Sequence, residues 1–257
     1  MTVKKIDLER LEKEMKEFYN KSPLYLDQLR QHDQKSFKYY IELISKYVES
    51  GKTILDAGCG TGLSTQLIAN RGYIAIGIDI SSLFLKNAQN ENIPYIVGDV
   101  TRMSFKDESF DAVASIELLE HVVKPQDALN EMKRILKKGG KLIIHAPNLF
   151  SPIWQLKSII RQLKGEKGSY TGGRTIRESL QLLIKNTYAI IKRMLFKRSI
   201  FEIKHPELTD DVQGGDRDAV YLINPLDLKI FLQKNRFKLL YQTNAFHNST
   251  IIVAQKL

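Results

Sequence analysis

The chain is short of cysteine, of long apolar runs and of repetition. Its only cysteine is Cys59, which excludes an intrachain disulfide framework and fits a reducing cytoplasm. No segment approaches the roughly 18 consecutive apolar residues that a membrane-crossing helix requires. The opening stretch, MTVKKIDLERLEKEMKEFYNKS, carries acids throughout and reads as neither a signal peptide nor a membrane span. Internal repeats and low-complexity tracts are absent. Acids are scarce in one place: residues 151–200 hold eleven Lys or Arg against Glu166 and Glu178, a local balance of +9 in a chain whose total is +10. The basicity belongs to that segment, and the rest is nearly neutral.

What is present is ordinary for a globular chain: 257 residues, 43% hydrophobic and 26% charged. That is room for one large α/β domain, or one domain with an insertion. Leu8, Leu11, Met15 and Phe18, then Phe37, Tyr40, Ile41, Ile44, Tyr47 and Val48, recur with a helical period, so residues 1–50 read as an N-terminal helical cap. From residue 53 short apolar runs (53–56, 73–78, 94–97, 110–115, 141–146) alternate with helical stretches near 63–70, 82–90 and 126–137. Strands separated by helices of this length imply a doubly wound parallel sheet. A helix capped by Asn224 with Pro225 at its first position follows, and then runs 237–242 and 250–255, close enough to pair antiparallel. The expected fold is a Rossmann-like, seven-stranded, mostly parallel α/β sheet with an antiparallel last strand. The ligand-binding core would span 51–148, a basic helical insertion after the fifth strand 149–220, and the end of the sheet 221–257.

In such a sheet the ligand sits beyond the carboxyl ends of the strands. The stretch TILDAGCGTGLS puts Gly58, Gly60 and Gly62, with Cys59 among them, between a strand and a helix, preceded by Asp56. A dinucleotide fingerprint would be G-x-G-x-x-G facing a pyrophosphate, and Asp56 would repel that anion. A carboxylate there suits an ammonium group. Asp79 at the end of the next strand is placed for two ribose hydroxyls, and Asp99 in GDV for an adenine amino group. A ligand with those three parts is S-adenosylmethionine.

With ILDAGCGTG, GIDIS, GDVTRMSF, FDAVASIELLEHV and LKKGGKLIIHAPN in this order and spacing, the sequence resembles the class I S-adenosylmethionine-dependent methyltransferases over roughly 50–148 and 220–257. The resemblance implies that the methionine end lies at Asp56 and the glycines, the ribose at Asp79 and Ile80, and the adenine by Asp99 and Val100. Ile116 would line the sulfonium end.

Glu117, Glu120 and His121 in IELLEHV stand at i, i+3 and i+4, which on a helix is one face. They are candidate ligands for Mg²⁺, which would acidify an acceptor hydroxyl. The same pattern occurs in ubiquinone-pathway O-methyltransferases and in small-RNA 3′-terminal 2′-O-methyltransferases. Without a metal, His121 is a candidate general base; the remaining reading is a residue that shapes the pocket. His145, ending the fifth strand, is a second candidate base, a fourth ligand or a hydrogen-bonded wall residue. His205 has no assignment.

The insertion carries two helical patterns. Ile153, Leu156, Ile160 and Leu163 share one face of the first. In the second, about 175–198, Ile176, Leu180, Leu183, Ile184, Ile191, Met194 and Leu195 make an apolar side and Lys185, Lys192, Arg193, Lys197 and Arg198 a charged one. Such helices lie on anionic membranes. The alternatives are a lid whose apolar face packs on the core, and a nucleic-acid surface. The ubiquinone-type enzymes carry an insertion at the same position, a positional match only. Asp216 and Asp218, on the return to the sheet, are candidates for hydrogen bonds to a polyol acceptor or for capping the turn.

The expected function is O-methylation of a small or lipid-linked hydroxylated acceptor by a cytoplasmic protein that touches the cytoplasmic membrane face. The rivals are an RNA 2′-O-methyltransferase, weakened by the lack of an aromatic base-stacking module, a sugar or natural-product methyltransferase with a lid, and an idle ligand-binding module.

Overall fold

The computed structural model describes residues 6–30, 34–88, 92–167, 173, 175–197, 199–208 and 218–257. Arg198 and Asp216 lie outside the described residues.

Three helices open the chain: α1 (Leu8–Lys21), α2 (Pro23–Arg30) and α3 (Gln34–Tyr47). Asp7 starts α1, its side chain accepting from the Arg10 backbone N–H at 3.2 Å, the usual solution for orphan donors at a helix start. The alternating part follows as β1 (Thr53–Ala57), α4 (Leu63–Ala69), β2 (Ile74–Asp79), α5 (Ser82–Leu85), β3 (Tyr95–Val97), β4 (Phe110–Ile116), α6 (Pro125–Ile135) and β5 (Leu136–Pro147). The insertion holds α7 (Pro152–Leu163) and α8 (Ile176–Phe196) and ends in two short paired strands, β6 (Glu202–Ile203) and β7 (Tyr221–Leu222). Then come α9 (Pro225–Lys234), β8 (Phe237–Gln242) and β9 (Ser249–Lys256). Asn224 caps α9 as its sequence requires, Oδ1 accepting from the Leu226 N–H at 2.9 Å.

The main sheet has seven strands in the order β3-β2-β1-β4-β5-β9-β8. β1 to β5 pair in parallel, and β9 runs antiparallel between β5 and β8. This is the seven-stranded sheet with an antiparallel last strand that the alternation implied. Successive residues serve opposite faces, as a pleated strand demands. Leu55, Val113, Leu142 and Ile144 pack under α6 and α9, while Ile54, Ala112, Ala114 and Ile143 pack under α3 and α4. A third cluster joins Leu11, Met15, Tyr19 and Leu26 of α1 and α2 to Phe84, Val123 and Val220. The first two helices are thereby fastened over the strand ends, next to the order reversal between β1 and β4.

Candidate active site

The loop after β1 is fixed by what its glycines permit. Gly58 has φ +75°, and a Cβ there would come within 2.6 Å of the Leu118 side chain. Gly62, at φ +81°, opens α4 with the Tyr95 ring in the space a side chain would fill. No other residue combines that backbone with those neighbours. Cys59 is buried behind the loop, against Gly77, and burial pushes its thiol pKa well up.

Asp79 is clamped at the end of β2. Its Oδ2 accepts from the Gly60 N–H and its Oδ1 from the Ser81 N–H, both at 2.9 Å. Burial pushes its pKa up to about 6, against the pull of those two donors. Asp99 accepts from the Thr101 N–H at 2.8 Å and hydroxyl at 2.7 Å, with Arg102 at 3.4 Å. Burial opposes its charge, yet the Thr101 and Arg102 bonds hold its pKa below the usual value.

Asp79 and Asp99 face a cavity of about 400 Å³, together with Gly58, Gly60, Ile80 and Val100. One wall comes from the N-terminal helices, through Met15 and Tyr19 of α1 and Tyr25 and Leu29 of α2. Glu117, Leu118 and His121 line it as well, His121 beside Tyr19 with ring centroids 6.1 Å apart. The volume is that of a small-molecule site. These aromatic and apolar walls beside clamped carboxylates fit an adenosine with free ribose hydroxyls.

Asp56, read as the ammonium partner, is not on the cavity wall. Its Oδ2 accepts from the Ser64 and Thr65 hydroxyls, both at 2.6 Å. It ties the glycine loop to the first turn of α4, and burial raises its pKa against those bonds. Gly62 and Ile116 also stand behind the wall, as does Glu120, which is fully buried.

The proposed metal face does not form. Glu117 has φ +51°, so the chain turns before any helix begins, and residues 119–121 make only a short 3₁₀ turn. That breaks the helical i, i+3, i+4 geometry, although the side chains stay close: Glu117 and Glu120 interact, and His121 Nε2 lies 3.9 Å from Glu120 Oε1. Glu117 Oε1 lies 2.6 Å from His145 Nδ1, and His121 Nδ1 lies 3.0 Å from Asp218 Oδ2. Among the described residues no group of three His, Cys, Asp or Glu is arranged to hold a metal ion, so the expectation of Mg²⁺ at Glu117, Glu120 and His121 is unsupported.

Two acid–histidine pairs result. In the first, His145 is buried with Nδ1 beside Glu117 and Nε2 at 2.8 Å from the Tyr40 hydroxyl. Both ring nitrogens are engaged and the ring is off the cavity wall, so its geometry is that of a wall residue supporting Glu117. Burial opposes the Glu117 charge, but the His145 bond and the nearby His121 lower its pKa. In the second, His121 is on the cavity wall. Asp218 Oδ2 also accepts from the Tyr19 hydroxyl at 2.9 Å. Burial disfavours the Asp218 anion, yet His121 and Tyr19 hold its pKa down at about 2.

Tyr19, Tyr40 and the role of Asp218 were missed from sequence. The available signal for Tyr19 was a hydroxyl on the apolar face of α1, four residues after Met15.

Both helices of the insertion form, with one of the residues placed on the charged side turned inward. α7 and α8 meet through Ser158, Gln162, Ser179 and Gly173: Gln162 Nε2 donates to Ser158 and Ser179 hydroxyls at 3.1 Å, and Ser158 donates to the Gly173 carbonyl at 2.7 Å. Arg193, assigned to the charged outer side, is instead buried. Its Nε bonds Asp227 Oδ2 of α9 at 2.8 Å, and its guanidinium lies 4.5 Å from the Phe150 ring centre. Of the twenty large hydrophobic side chains exposed among the described residues, twelve fall between Leu156 and Ile200. The apolar side that a lid would bury faces outward. Among the described residues no helix is long and apolar enough to cross a membrane.

Residues 55–144 match the methyltransferase-domain family model. Over those residues the chain is similar to that family. An uncharacterized protein of Methanocaldococcus jannaschii is 32% identical over 171 residues, covering 61% of this chain and 64% of that one. A ubiquinone biosynthesis O-methyltransferase of Coxiella burnetii is 35% identical over 114 residues, covering 40% of this chain and 49% of its own. The chain thus spans about half to two thirds of the length of the curated relatives it matches. The crystal structure of magnesium protoporphyrin IX methyltransferase from Synechocystis PCC 6803 with bound S-adenosylmethionine aligns over 100% of both chains, at 15% identity and a TM-score of 0.58. What that methyltransferase shares with this chain is the fold. The resemblance to class I methyltransferases read from the five motifs is upheld by the domain match and the sheet order.

Proposed function

We propose that this methyltransferase domain transfers a methyl group from S-adenosylmethionine to an oxygen of a hydroxylated acceptor, and that the acceptor is lipid-borne. The observation that carries the reading is one cavity lined by the clamped Asp79 together with Glu117 and His121. S-adenosylmethionine supplies, when bound, a methyl group on a positively charged sulfur. The chain's own residues do the rest. Asp79 accepts from the ribose hydroxyls, and Gly58 and Gly60 let the backbone approach. Helices α1 and α2 exclude water, and His121 stands where an acceptor hydroxyl must lose its proton.

The quinone-related name of the Coxiella burnetii relative supports an O-methylated, membrane-soluble acceptor. The outward apolar face of α7 and α8 supports it independently. Ile184, Tyr188 and Leu195 are exposed in a segment of charge +9, the composition that seats on an anionic bilayer. A second copy of this chain would bring like charge against that face. An RNA acceptor accounts for the cations but leaves the apolar side chains without a use.

Calorimetry with S-adenosylmethionine and NAD tests the cofactor: tighter binding of NAD sinks the reading. Labelled methyl donor incubated with lipid and aqueous extracts tests the acceptor, with label expected in the lipid fraction. Flotation with anionic vesicles tests the surface, and a protein that stays in solution at low salt would refute the bilayer contact.

A further inference from the structure

The two helices over the cavity are built as a unit apart from the rest of the fold. The buried residues of α1 and α2, Leu11, Met15, Tyr19 and Leu26, form one cluster and meet the body of the protein through Phe84, Val123 and Val220. The helix that follows, α3, belongs to another cluster, with Ile54 and Ile143 of the sheet. Polar contacts complete the fastening. The Lys124 ammonium donates to Glu12 Oε2 at 2.8 Å, and the Ser81 hydroxyl donates to the Tyr19 carbonyl at 2.8 Å. The Ser82 N–H and hydroxyl both donate to Asn20 Oδ1, each at 3.0 Å. These bonds end on the segments that follow β2 and β4, beside the cavity walls at Asp79, Ile80 and Val123.

The same helices stand between solvent and the groups that would hold the ribose. Asp79 is only 8% exposed, and Met15, Tyr19, Tyr25 and Leu29 share the cavity with it. The Leu29 side chain comes within 3.5 Å of the place a Cβ on Gly60 would take, so α2 rests on the glycine loop. A nucleoside is far larger than any gap that leaves a residue 8% exposed. Met15 and Tyr19 are themselves held in the packing of α1, and a closely packed interior gives little room for a rotamer change to clear the way. Passage therefore requires the helices to move. A small separate cluster fastened by a few polar bonds is the kind of unit that opens without unfolding the sheet.

We infer that α1 and α2 form a gate over the cofactor end of the cavity, swinging away as one unit for S-adenosylmethionine to enter and S-adenosylhomocysteine to leave, with the Glu12–Lys124 ion pair as its latch. The identity of the passenger rests on the methyl-transfer reading; the opening of the two helices does not. Glu12 lines the cavity, and Lys124 stands outside the wall next to Val123. Their side chains are 29% and 33% exposed, and an ion pair open to water contributes little. The latch holds the gate without freezing it.

Hydrogen exchange of the full chain tests the unit without any ligand. The amides of α1 and α2 are expected to exchange together, at least about tenfold faster than those of β1 and β4. Exchange of all four elements at one common rate, through global unfolding, overturns the inference. The gate itself is tested by locking it. Asn20→Cys combined with Ser82→Cys places two thiols across the Asn20–Ser82 contact. Oxidised before S-adenosylmethionine is added, this variant is expected to bind it about a hundredfold more slowly in stopped-flow mixing than after reduction, since a closed lid blocks ligand exchange. Equal association rates of the oxidised and reduced forms overturn the gate. Lys124→Gln keeps the test open where the disulfide does not form. Release of S-adenosylhomocysteine should become about two- to fivefold faster, the worth of a partly exposed pair, and an unchanged or slower release overturns the latch. If the wild type binds neither compound while α1 and α2 still exchange as one unit, the proposed function fails and the opening unit stands.

Discussion

Leu129 and Leu195 are both leucines on amphipathic helices, yet one is 1% exposed and the other 72%. Leu129, on α6, sits in the cluster under the central strands with Val113 and Leu142. Leu195, on α8, belongs to a hairpin that hides serine, glutamine, asparagine and an arginine and turns its leucines outward. The difference lies in what each helix meets. A strand face of valine and isoleucine removes apolar area from water at about 25 cal/mol per Å², so α6 must present its apolar stripe. The partner of α8 is α7 with a polar groove, and its anchor is the Asp227 carboxylate, so its polar side is the one that fits. An amphipathic pattern therefore identifies two sides of a helix but not which one is buried.

The sharpest way to break the comparison is at the anchor. Arg193→Ala leaves the Asp227 carboxylate buried without its charge partner, and removal of one member of a buried pair costs about 3–5 kcal/mol. Denaturant unfolding should show that loss, while Arg193→Met paired with Asp227→Leu should recover most of it. A stability unchanged in Arg193→Ala would show that α8 is held by other contacts.

On the core side, Asp79→Asn removes the anion the ribose is proposed to meet. Each charge-assisted hydrogen bond lost is worth about 1.5–3 kcal/mol, so titration calorimetry should show S-adenosylmethionine affinity weaker by at least tenfold. The same residue gives a pH signature. Its folded pKa of about 6 lies above the ordinary carboxylate range, so the ligand-free protein loses stability as pH rises from about 4 through 6. Affinity for a ligand that hydrogen-bonds to the anion rises across the same window, and a flat affinity between pH 5 and 7.5 would contradict the assignment.

Asn224→Ala tests a feature that depends on neither side of the comparison. It removes the side-chain acceptor at the start of α9, with an expected loss of about 1 kcal/mol in thermal or chemical unfolding.

The smallest effect on stability is the most telling for the hairpin. Leu195→Ser should change unfolding free energy by less than about 0.5 kcal/mol, whereas Leu129→Ala should cost about 2–5 kcal/mol. The same Leu195→Ser change should weaken flotation with anionic vesicles. A large stability loss at Leu195 would mean that this face packs against protein in solution.

Much of the site was legible because it rests on local chemistry. Gly58 and Gly62 are read from their spacing between a strand and a helix, and Asp79 and Asp99 from their places at strand ends. The arrangement of Glu117, Glu120 and His121, read as a helical face, was not legible for an equally local reason. That reading assumed helical dihedrals at a residue whose φ is +51°, so the three side chains stay close without sharing the face of a helix.

The sequence by itself determined the strand alternation, the order of the ligand-facing acids, the caps at Asp7 and Asn224, and the confinement of positive charge to one segment, because dihedral preference, period and composition act over a few residues. Only the tertiary structure decided that Asp218 meets His121 and Tyr19, that Tyr40 meets His145, that Asp56 turns away from the cavity, and that α8 buries Arg193 and exposes Leu195. Those are encounters between residues up to 199 positions apart, set by which elements the order of the sheet brings together.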